Sequence, residues 1–166
     1  MPRYWLDASV FITARDTMYG FDINTSFWTW MDQASRNGIV GAPRKVYTEI
    51  VDNVKGTDDL GRWVKARRKN GLCIEPDSKT IQALKAVSSY VFKENGRYEY
   101  PFALDFVRGA DPYVIAAAIA DGGTIVSQET DRHPLAKRVR IPDVCEQFGV
   151  ECVKVWEMLR NLKVKL

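Results

Sequence analysis

The sequence predicts a three-layer α/β fold with a mainly parallel central sheet. Short apolar runs, typical of buried strands, alternate along the chain with longer amphipathic segments, typical of helices. Parallel strands joined in this way place helices on both faces of the sheet. A chain of 166 residues is long enough to form one core without disulfides, so residues 1–166 are predicted to form a single domain.

The first predicted strand covers residues 3–6 (RYWL) and ends at Asp7. Residues 24–26 (NTS) are suited to cap a helix, which is predicted to end at Asn37-Gly38. Ile39 and Val40 then form a very short strand. The N-terminal part of the chain therefore begins with a strand–helix–strand unit.

The central part of the sequence, from residue 43 to residue 96, is predicted to contain further helices and one strand. Pro43 suits the first turn of a helix that carries Glu49, because its missing N–H is not needed there. Residues 57–69 predict an amphipathic helix, and residues 72–74 predict a strand. Asp77 or Ser78 is expected to cap a helix that buries Ile81, Leu84, Val87, Ser88 and Val91 and ends at residues 95–96.

The C-terminal part begins with an aromatic-rich connection. Asp111-Pro112 then opens a helix with the sequence PYVIAAAIA, which ends at Gly122-Gly123. Residues 124–127 (TIVS) form the clearest predicted strand. The remaining predicted elements are a helix from Pro142, a strand over 151–155 and a closing helix over 156–162.

Composition argues against several classes of protein. The three cysteines are odd in number and form no CxxC pair, which argues against a disulfide framework or a cysteine-rich zinc site. The single histidine, His133, follows Asp131-Arg132 in a predicted exposed loop, a poor setting for a histidine-dependent hydrolase. Neither a membrane-spanning run nor a signal peptide is apparent, so we expect a cytoplasmic protein without a membrane partner.

Positive charge is modest overall but clustered. The formal net charge is +3, which does not by itself indicate a nucleic-acid partner. Two stretches concentrate basic residues and suit either contact with phosphates or ordinary exposed helix faces. They contain Lys65, Arg67, Arg68 and Lys69, and Arg132, Lys137, Arg138 and Arg140.

Acidic residues follow the predicted strands or lie on helices next to them. Asp7 follows the first strand, Asp111 opens the alanine-rich helix, Glu49 lies on an early helix, and Glu129 and Asp131 follow TIVS. The carboxyl ends of parallel strands form one edge, where these acids are able to converge. Converging carboxylates repel one another unless a cation is shared, and oxygen ligands without histidine or cysteine favour Mg²⁺ or Mn²⁺.

Each acid also has a structural interpretation. Asp7 and Asp111 both stand where they can cap the following helix. Glu49 suits a solvated helix face, and Glu129 and Asp131 lie in a polar loop where acids are common. The order of the motifs along the chain favours the functional interpretation.

Four motifs together resemble a known family. YWLDASVFI around Asp7, VYTEIV around Glu49, ADPYVIAAA around Asp111 and TIVSQE around Glu129 resemble PIN domains, a metal-dependent ribonuclease fold found in many bacterial toxins. The closest resemblance is to the PIN-like branch called DUF4411. FDINTSFWTWMD, DDLGRWVKAR, IPDVCEQFGV and WEMLRNL extend the resemblance over nearly the whole chain.

The resemblance implies specific roles for these residues. Asp7, Glu49 and Asp111 match the three acids that usually bind metal, and Ser9 matches a small polar residue that orients the site. Glu129 replaces a common fourth aspartate. Ser127 and Asp131 are supporting candidates, and Asp105 is a further spare acid of lower rank.

The implied activity is hydrolysis of RNA phosphodiester bonds with Mg²⁺ or Mn²⁺, which polarises the phosphate and lowers the pKa of a bound water. Phosphate contacts are expected from Arg15, Lys45 and Arg132. Exposed aromatic residues can stack on bases, although at helical spacing they more often belong to the core. The candidates are Tyr19, Trp28 and Trp63.

The resemblance to toxins also implies an antitoxin protein and often a homodimer. The aromatic segment 19–30 (YGFDINTSFWTW) is a candidate for either contact. One alternative is a non-catalytic PIN-fold module that binds RNA or protein, because fold does not determine function and the fourth acid differs. Another α/β enzyme is less favoured, since the sequence lacks GxxxxGK, GxGxxG and a DxD motif at Asp7.

Overall fold

The computed structural model describes residues 3–53, 58–93 and 96–166. Its sheet contains five parallel strands in the order β3-β2-β1-β4-β5. The strands are β1 (Tyr4–Leu6), β2 (Val40–Pro43), β3 (Cys73–Ile74), β4 (Thr124–Val126) and β5 (Cys152–Val153). The predicted parallel α/β architecture is confirmed.

Helices cover both faces of this sheet. The central helix α7 contacts β1, β2 and β4, and α5 packs against α7. In chain order the helices are α1 (Ala8–Asp16), α2 (Thr25–Arg36), α3 (Arg44–Asn53), α4 (Asp59–Ala66), α5 (Ser78–Val91), α6 (Tyr100–Arg108), α7 (Asp111–Asp121), α8 (Ile141–Phe148) and α9 (Val155–Asn161).

Apolar strand and helix residues form the core between these layers. Leu6, Val40 and Ile125 are fully buried on adjacent strands, and they belong to the same apolar cluster as four residues of α7, which are Val114, Ile115, Ala117 and Ala118. Small alanines in α7 let this helix approach the sheet closely. The burial removes a large apolar area from water, which stabilises the position of the residues just beyond the strands.

Several predicted helix boundaries are confirmed by their capping contacts. Asn24 accepts a hydrogen bond from the Phe27 backbone N–H at the start of α2. Asp77 accepts one from the Thr80 N–H over 2.8 Å and so caps α5. Gly122 ends α7 with a φ of 70°, a left-handed conformation that glycine adopts without strain.

Other predicted boundaries are wrong. Pro43 is the last residue of β2 and does not lie in the first turn of a helix, because it still pairs with Ile74 of the parallel strand β3. The helix predicted over 57–69 covers Asp59–Ala66, because the side chain of Asp58 caps its first turn and the backbone turns irregularly over Arg68–Leu72. Thr57 lies outside the described residues.

The connection before Asp111 contains an unpredicted helix. Residues 100–108 form α6, with Pro101 in its first turn, where proline is favoured. The preceding helix, α5, ends at Val91, before the predicted end at residues 95–96. Residue 95 lies outside the described residues. Ile81 was predicted to be buried on α5 but is exposed, because α5 turns Ala83, Val87 and Val91 inward.

The aromatic segment 19–30 packs mainly into the protein. Phe21 stacks on Trp28 with ring centroids 4.1 Å apart, and Trp28 meets Trp63 edge to face at 4.9 Å. Trp28 and Trp63 are buried, so for these two residues the favoured core interpretation is confirmed over stacking on bases. Met18 and Ile23 are the large apolar side chains exposed here.

The loop before α8 exposes His133, as predicted. The three cysteines are unpaired thiols; Cys145 is buried, whereas Cys73 and Cys152 are only partly buried. Among the helices of residues 3–53, 58–93 and 96–166, none combines the length and apolar character needed to cross a membrane.

Candidate active site

The candidate site lies at the centre of the sheet, at β1, where the order of the strands reverses direction. Strand β1 pairs with β2 on one side and with β4 on the other, and in open parallel sheets a ligand-binding crevice forms at the carboxyl ends of the strands where the order reverses in this way. Asp7 directly follows β1, and Ser127 directly follows β4. The Asp7 backbone N–H donates to the Val126 carbonyl over 3.0 Å, which fixes the position of Asp7.

Two serines hold the Asp7 carboxylate. The Ser9 hydroxyl donates to Asp7 Oδ2 over 2.5 Å, and the Ser127 hydroxyl donates to the same oxygen over 3.0 Å. Asp7 occupies the N-cap position of α1, but its side chain makes no capping hydrogen bond. The capping interpretation of Asp7 is therefore wrong, and its carboxylate, in a residue only 6% exposed, faces the crevice serines.

The same serines also fix the start of the loop after β4. The Gln128 backbone N–H donates to Ser9 Oγ over 3.2 Å, and the Glu129 N–H donates to Ser127 Oγ over 3.1 Å. Each hydroxyl thus links the Asp7 carboxylate to a backbone group of this loop. Glu129 is held on the Asp7 side of the crevice as a result.

Asp111 is the first residue of α7, and Ala110 occupies the N-cap position. The capping interpretation of Asp111 is therefore also wrong. Burial, followed in order of effect by the negative charges of Asp7, Glu129 and Glu49, raises the pKa of the Asp111 carboxyl to about 7. The four acids predicted from the sequence thus lie close enough to act on one ionisable group.

Glu49 lies on α3 at the exposed rim of this cluster. Partial desolvation raises the pKa of the Glu49 carboxyl, the charge of Asp7 raises it further, and Lys45 on the preceding turn lowers it. Lys45 therefore brings positive charge to the rim, and its contact with phosphate stays a prediction.

Glu129 and Asp131 occupy different environments in the loop after β4. The Glu129 carboxylate forms an ion pair with Arg140 over 3.3 Å. Asp131 is exposed, and its charge is not among the causes that raise the pKa of Asp111. Glu129 is therefore the better placed candidate for the fourth acid.

Comparisons with known proteins show the family and the fold of this chain. The family described as "Domain of unknown function (DUF4411)" matches residues 4–166. The chain belongs to the DUF4411 family. No curated protein sequence matches it.

The DUF4411 protein has a PIN-like fold. It is similar to a chain in the crystal structure of VapBC2 from Rickettsia felis bound to a DNA fragment from their promoter, with a TM-score of 0.54 and 11% sequence identity. The similarity covers 91% of this chain and 97% of that chain. At this identity the similarity concerns the fold alone.

The donor set of the DUF4411 protein suits a hard divalent cation. Carboxylate oxygens with hydroxyl support are the ligands that Mg²⁺ and Mn²⁺ prefer. Within the described residues, no three acidic, histidine or cysteine side chains already converge closely enough to hold a metal ion. The negative charges of Asp7, Glu129 and Glu49 raise the pKa of the Asp111 carboxyl, and a shared cation would neutralise this repulsion, so the residues fit such an ion chemically.

The predicted phosphate-binding arginines are engaged in ion pairs. Arg15 on α1 pairs with Asp16 and with Asp58, the residue that caps α4. Arg132 pairs with Glu146 on α8. These contacts bring neither guanidinium into the acidic cluster, and contact with phosphate stays a prediction for both residues.

A buried carboxylate that sequence reasoning missed anchors the same long loop. Asp143 on α8 accepts a hydrogen bond from the His133 backbone N–H over 2.9 Å and pairs with Arg97 over 3.2 Å. Arg97 also donates to the Ala136 carbonyl. The only sequence signal was an acid after proline in the first turn of a helix, which is common enough to carry no weight alone.

Proposed function

We propose that this protein is a ribonuclease that hydrolyses RNA phosphodiester bonds with Mg²⁺ or Mn²⁺ held by Asp7, Glu49, Asp111 and Glu129. The proposal is supported by the Asp7 carboxylate, which Ser9 and Ser127 orient after strand β1, and by the negative charges of Asp7, Glu129 and Glu49, which act on the buried Asp111 carboxyl. A divalent cation bound there would polarise the phosphate and lower the pKa of a bound water.

The protein's own residues prepare this site. Ser9 and Ser127 orient the Asp7 carboxylate through one of its oxygens, so that the other remains free of these two hydroxyls. Lys45 lies beside Glu49 and supplies positive charge for an approaching phosphate. A site preorganised in this way binds a cation with little rearrangement at Asp7.

We further propose that the protein acts in the cytoplasm as the toxin of a toxin–antitoxin pair. The resemblance to toxin-type PIN domains supports this role and a homodimeric state. An antitoxin would need to cover the acidic crevice to block access of RNA. The fold similarity to a chain of the VapBC2 structure is consistent with this proposal.

A second candidate is a non-catalytic module that binds RNA or protein. This candidate is favoured because, among the described residues, no three acidic, histidine or cysteine side chains lie close enough together to bind a metal ion. It predicts measurable affinity for RNA without turnover.

The two candidates are separated by incubating the purified protein with a pool of RNA in Mg²⁺ or Mn²⁺, with and without EDTA. Cleavage that requires the metal supports the ribonuclease. Intact RNA under all these conditions, together with measured binding, supports the module.

A further inference from the structure

A cavity next to the acidic cluster combines an aromatic ring with two free charged groups. It has a volume of about 320 Å³ and is lined by Phe102, Asp105, Phe106, Asp111, Arg138 and Val139. This volume lies within the range of small-molecule binding sites, about 300–1,000 Å³. Asp111 belongs both to this cavity and to the proposed metal site, so the two are continuous.

The apolar wall of the cavity is partly open to solvent. Phe102 on α6 is 37% exposed, whereas Phe106, one helical turn later, and Val139 are buried beneath it. Phe106 and Val139 therefore provide a fixed apolar base, and Phe102 presents an accessible ring at the rim. A flat apolar ligand gains most from such a surface, since it covers the exposed ring when it binds.

The charged groups of the cavity are available to a ligand. Within the described residues, neither Asp105 nor Arg138 forms a hydrogen bond or ion pair with another side chain. Arg138 differs in this respect from Arg132 and Arg140, which pair with Glu146 and Glu129. The cavity thus offers one carboxylate acceptor and one guanidinium donor.

We propose that this cavity is a base-binding subsite for the unpaired nucleotide next to the cleaved phosphate, and that it prefers bases with an amino group. The identity of the ligand as RNA rests on the proposed function. The base stacks on Phe102, Arg138 contacts a flanking phosphate, and Asp105 accepts a hydrogen bond from the amino group. Uracil presents no amino group and is the least favoured base.

The test measures binding and not cleavage. Fluorescently labelled hexamers of cytidine and of uridine are titrated with the full-length protein in Ca²⁺, and gels verify that the RNA stays intact. Cytosine carries an amino group where uracil carries a carbonyl oxygen, so the pair compares a base that can donate an amino hydrogen to Asp105 with one that cannot. The wild-type protein should bind the cytidine hexamer about fivefold or more tightly than the uridine hexamer, as expected for one hydrogen bond to a charged group.

Substitutions separate stacking from simple packing. Phe102→Ala should weaken binding of both hexamers about tenfold, Phe102→Leu should not restore it, and Phe102→Tyr should restore it. Tyr100→Ala is the matched control, because Tyr100 is an exposed aromatic residue on the same helix that does not line the cavity. Asp105→Asn should bring the cytidine-to-uridine ratio close to one.

Equal affinity of the wild-type protein for both hexamers, or full recovery with Phe102→Leu, would overturn the subsite. Unchanged binding by Phe102→Ala would also overturn it. If the protein also cleaves RNA in a metal-dependent way, any of these three results would contradict the subsite but not the proposed ribonuclease. The expected binding pattern without any cleavage in Mg²⁺ would instead support the subsite and contradict the ribonuclease.

Discussion

The Ser127 hydroxyl donates to Asp7 Oδ2 over 3.0 Å, although the two residues are 120 positions apart in the chain. This hydrogen bond joins the ends of the two adjacent strands β1 and β4. The same hydroxyl accepts from the Glu129 N–H, so one buried side chain positions two of the proposed metal ligands.

Replacing Ser127 with alanine should therefore weaken Mg²⁺ binding. The expected loss is about 10- to 100-fold, the range found for residues that orient metal ligands. The free energy of unfolding should fall by about 1–3 kcal/mol, because the buried groups around Ser127 lose a partner. Isothermal titration with Mg²⁺ and urea unfolding measure the two effects.

Ser35→Ala is the control for this substitution. Ser35 is also buried, and its hydroxyl donates to the Met31 carbonyl within α2. The control should lose stability without losing Mg²⁺ affinity. Equal Mg²⁺ affinities for Ser127→Ala and the wild type would show that this hydroxyl does not position the site.

The raised pKa of Asp111 predicts how stability depends on pH in the metal-free protein. The Asp111 carboxyl binds its proton more tightly in the folded state, with a pKa of about 7, than in the unfolded chain, where the value is about 3.9. The folded state thus holds more protons between these values. Stability contributed by this group is present below pH 4 and is lost as the pH rises through 7.

Urea unfolding in EDTA between pH 5 and pH 8 tests this dependence. The wild-type free energy of unfolding should fall over this interval relative to Asp111→Asn, which cannot ionise at this position. Parallel curves for the two proteins would contradict the raised pKa.

Glu129 and Asp131 should differ in their effect on metal binding. Glu129→Gln removes a charge that acts on Asp111 and should weaken Mg²⁺ binding or slow cleavage strongly. Asp131→Asn should have a modest effect, and Glu129→Asp should retain partial activity, because a water in the hydrated shell of Mg²⁺ can bridge one missing methylene. Near-wild-type cleavage by both Glu129→Gln and Asp131→Asn at limiting Mg²⁺ would show that the first three acids suffice.

Local sequence signals predicted much of the fold. Asn24 and Asp77 both make the capping hydrogen bonds expected of their residue types, and β1 and β4 coincide closely with their apolar runs. Helix α6 was missed because its aromatic residues suggested an irregular connection. Pro101 in the first turn and the four-residue spacing of Phe102 and Phe106 were the signals available.

The site was predicted less completely than the fold. The order of Asp7, Glu49, Asp111 and Glu129 along the chain predicted which acids act on one another. The cavity lined by Phe102 and Arg138 was not predicted, since it joins α6 to a loop more than 30 residues later in the printed sequence. Contacts of this kind depend on tertiary packing, for which one sequence carries no local signal.

The most direct test of the account compares RNA cleavage by the wild-type protein, Asp7→Asn and Asp22→Asn. Asparagine keeps an oxygen that can accept from Ser9 and Ser127, so Asp7→Asn should fold normally and be slightly more stable without metal, because repulsion among the acids is reduced. Asp22 is exposed in the loop before α2 and serves as the control. We expect the wild type and Asp22→Asn to cleave RNA in Mg²⁺ and to stop in EDTA, and Asp7→Asn to be inactive. Cleavage by folded Asp7→Asn at the wild-type rate would contradict the central claim.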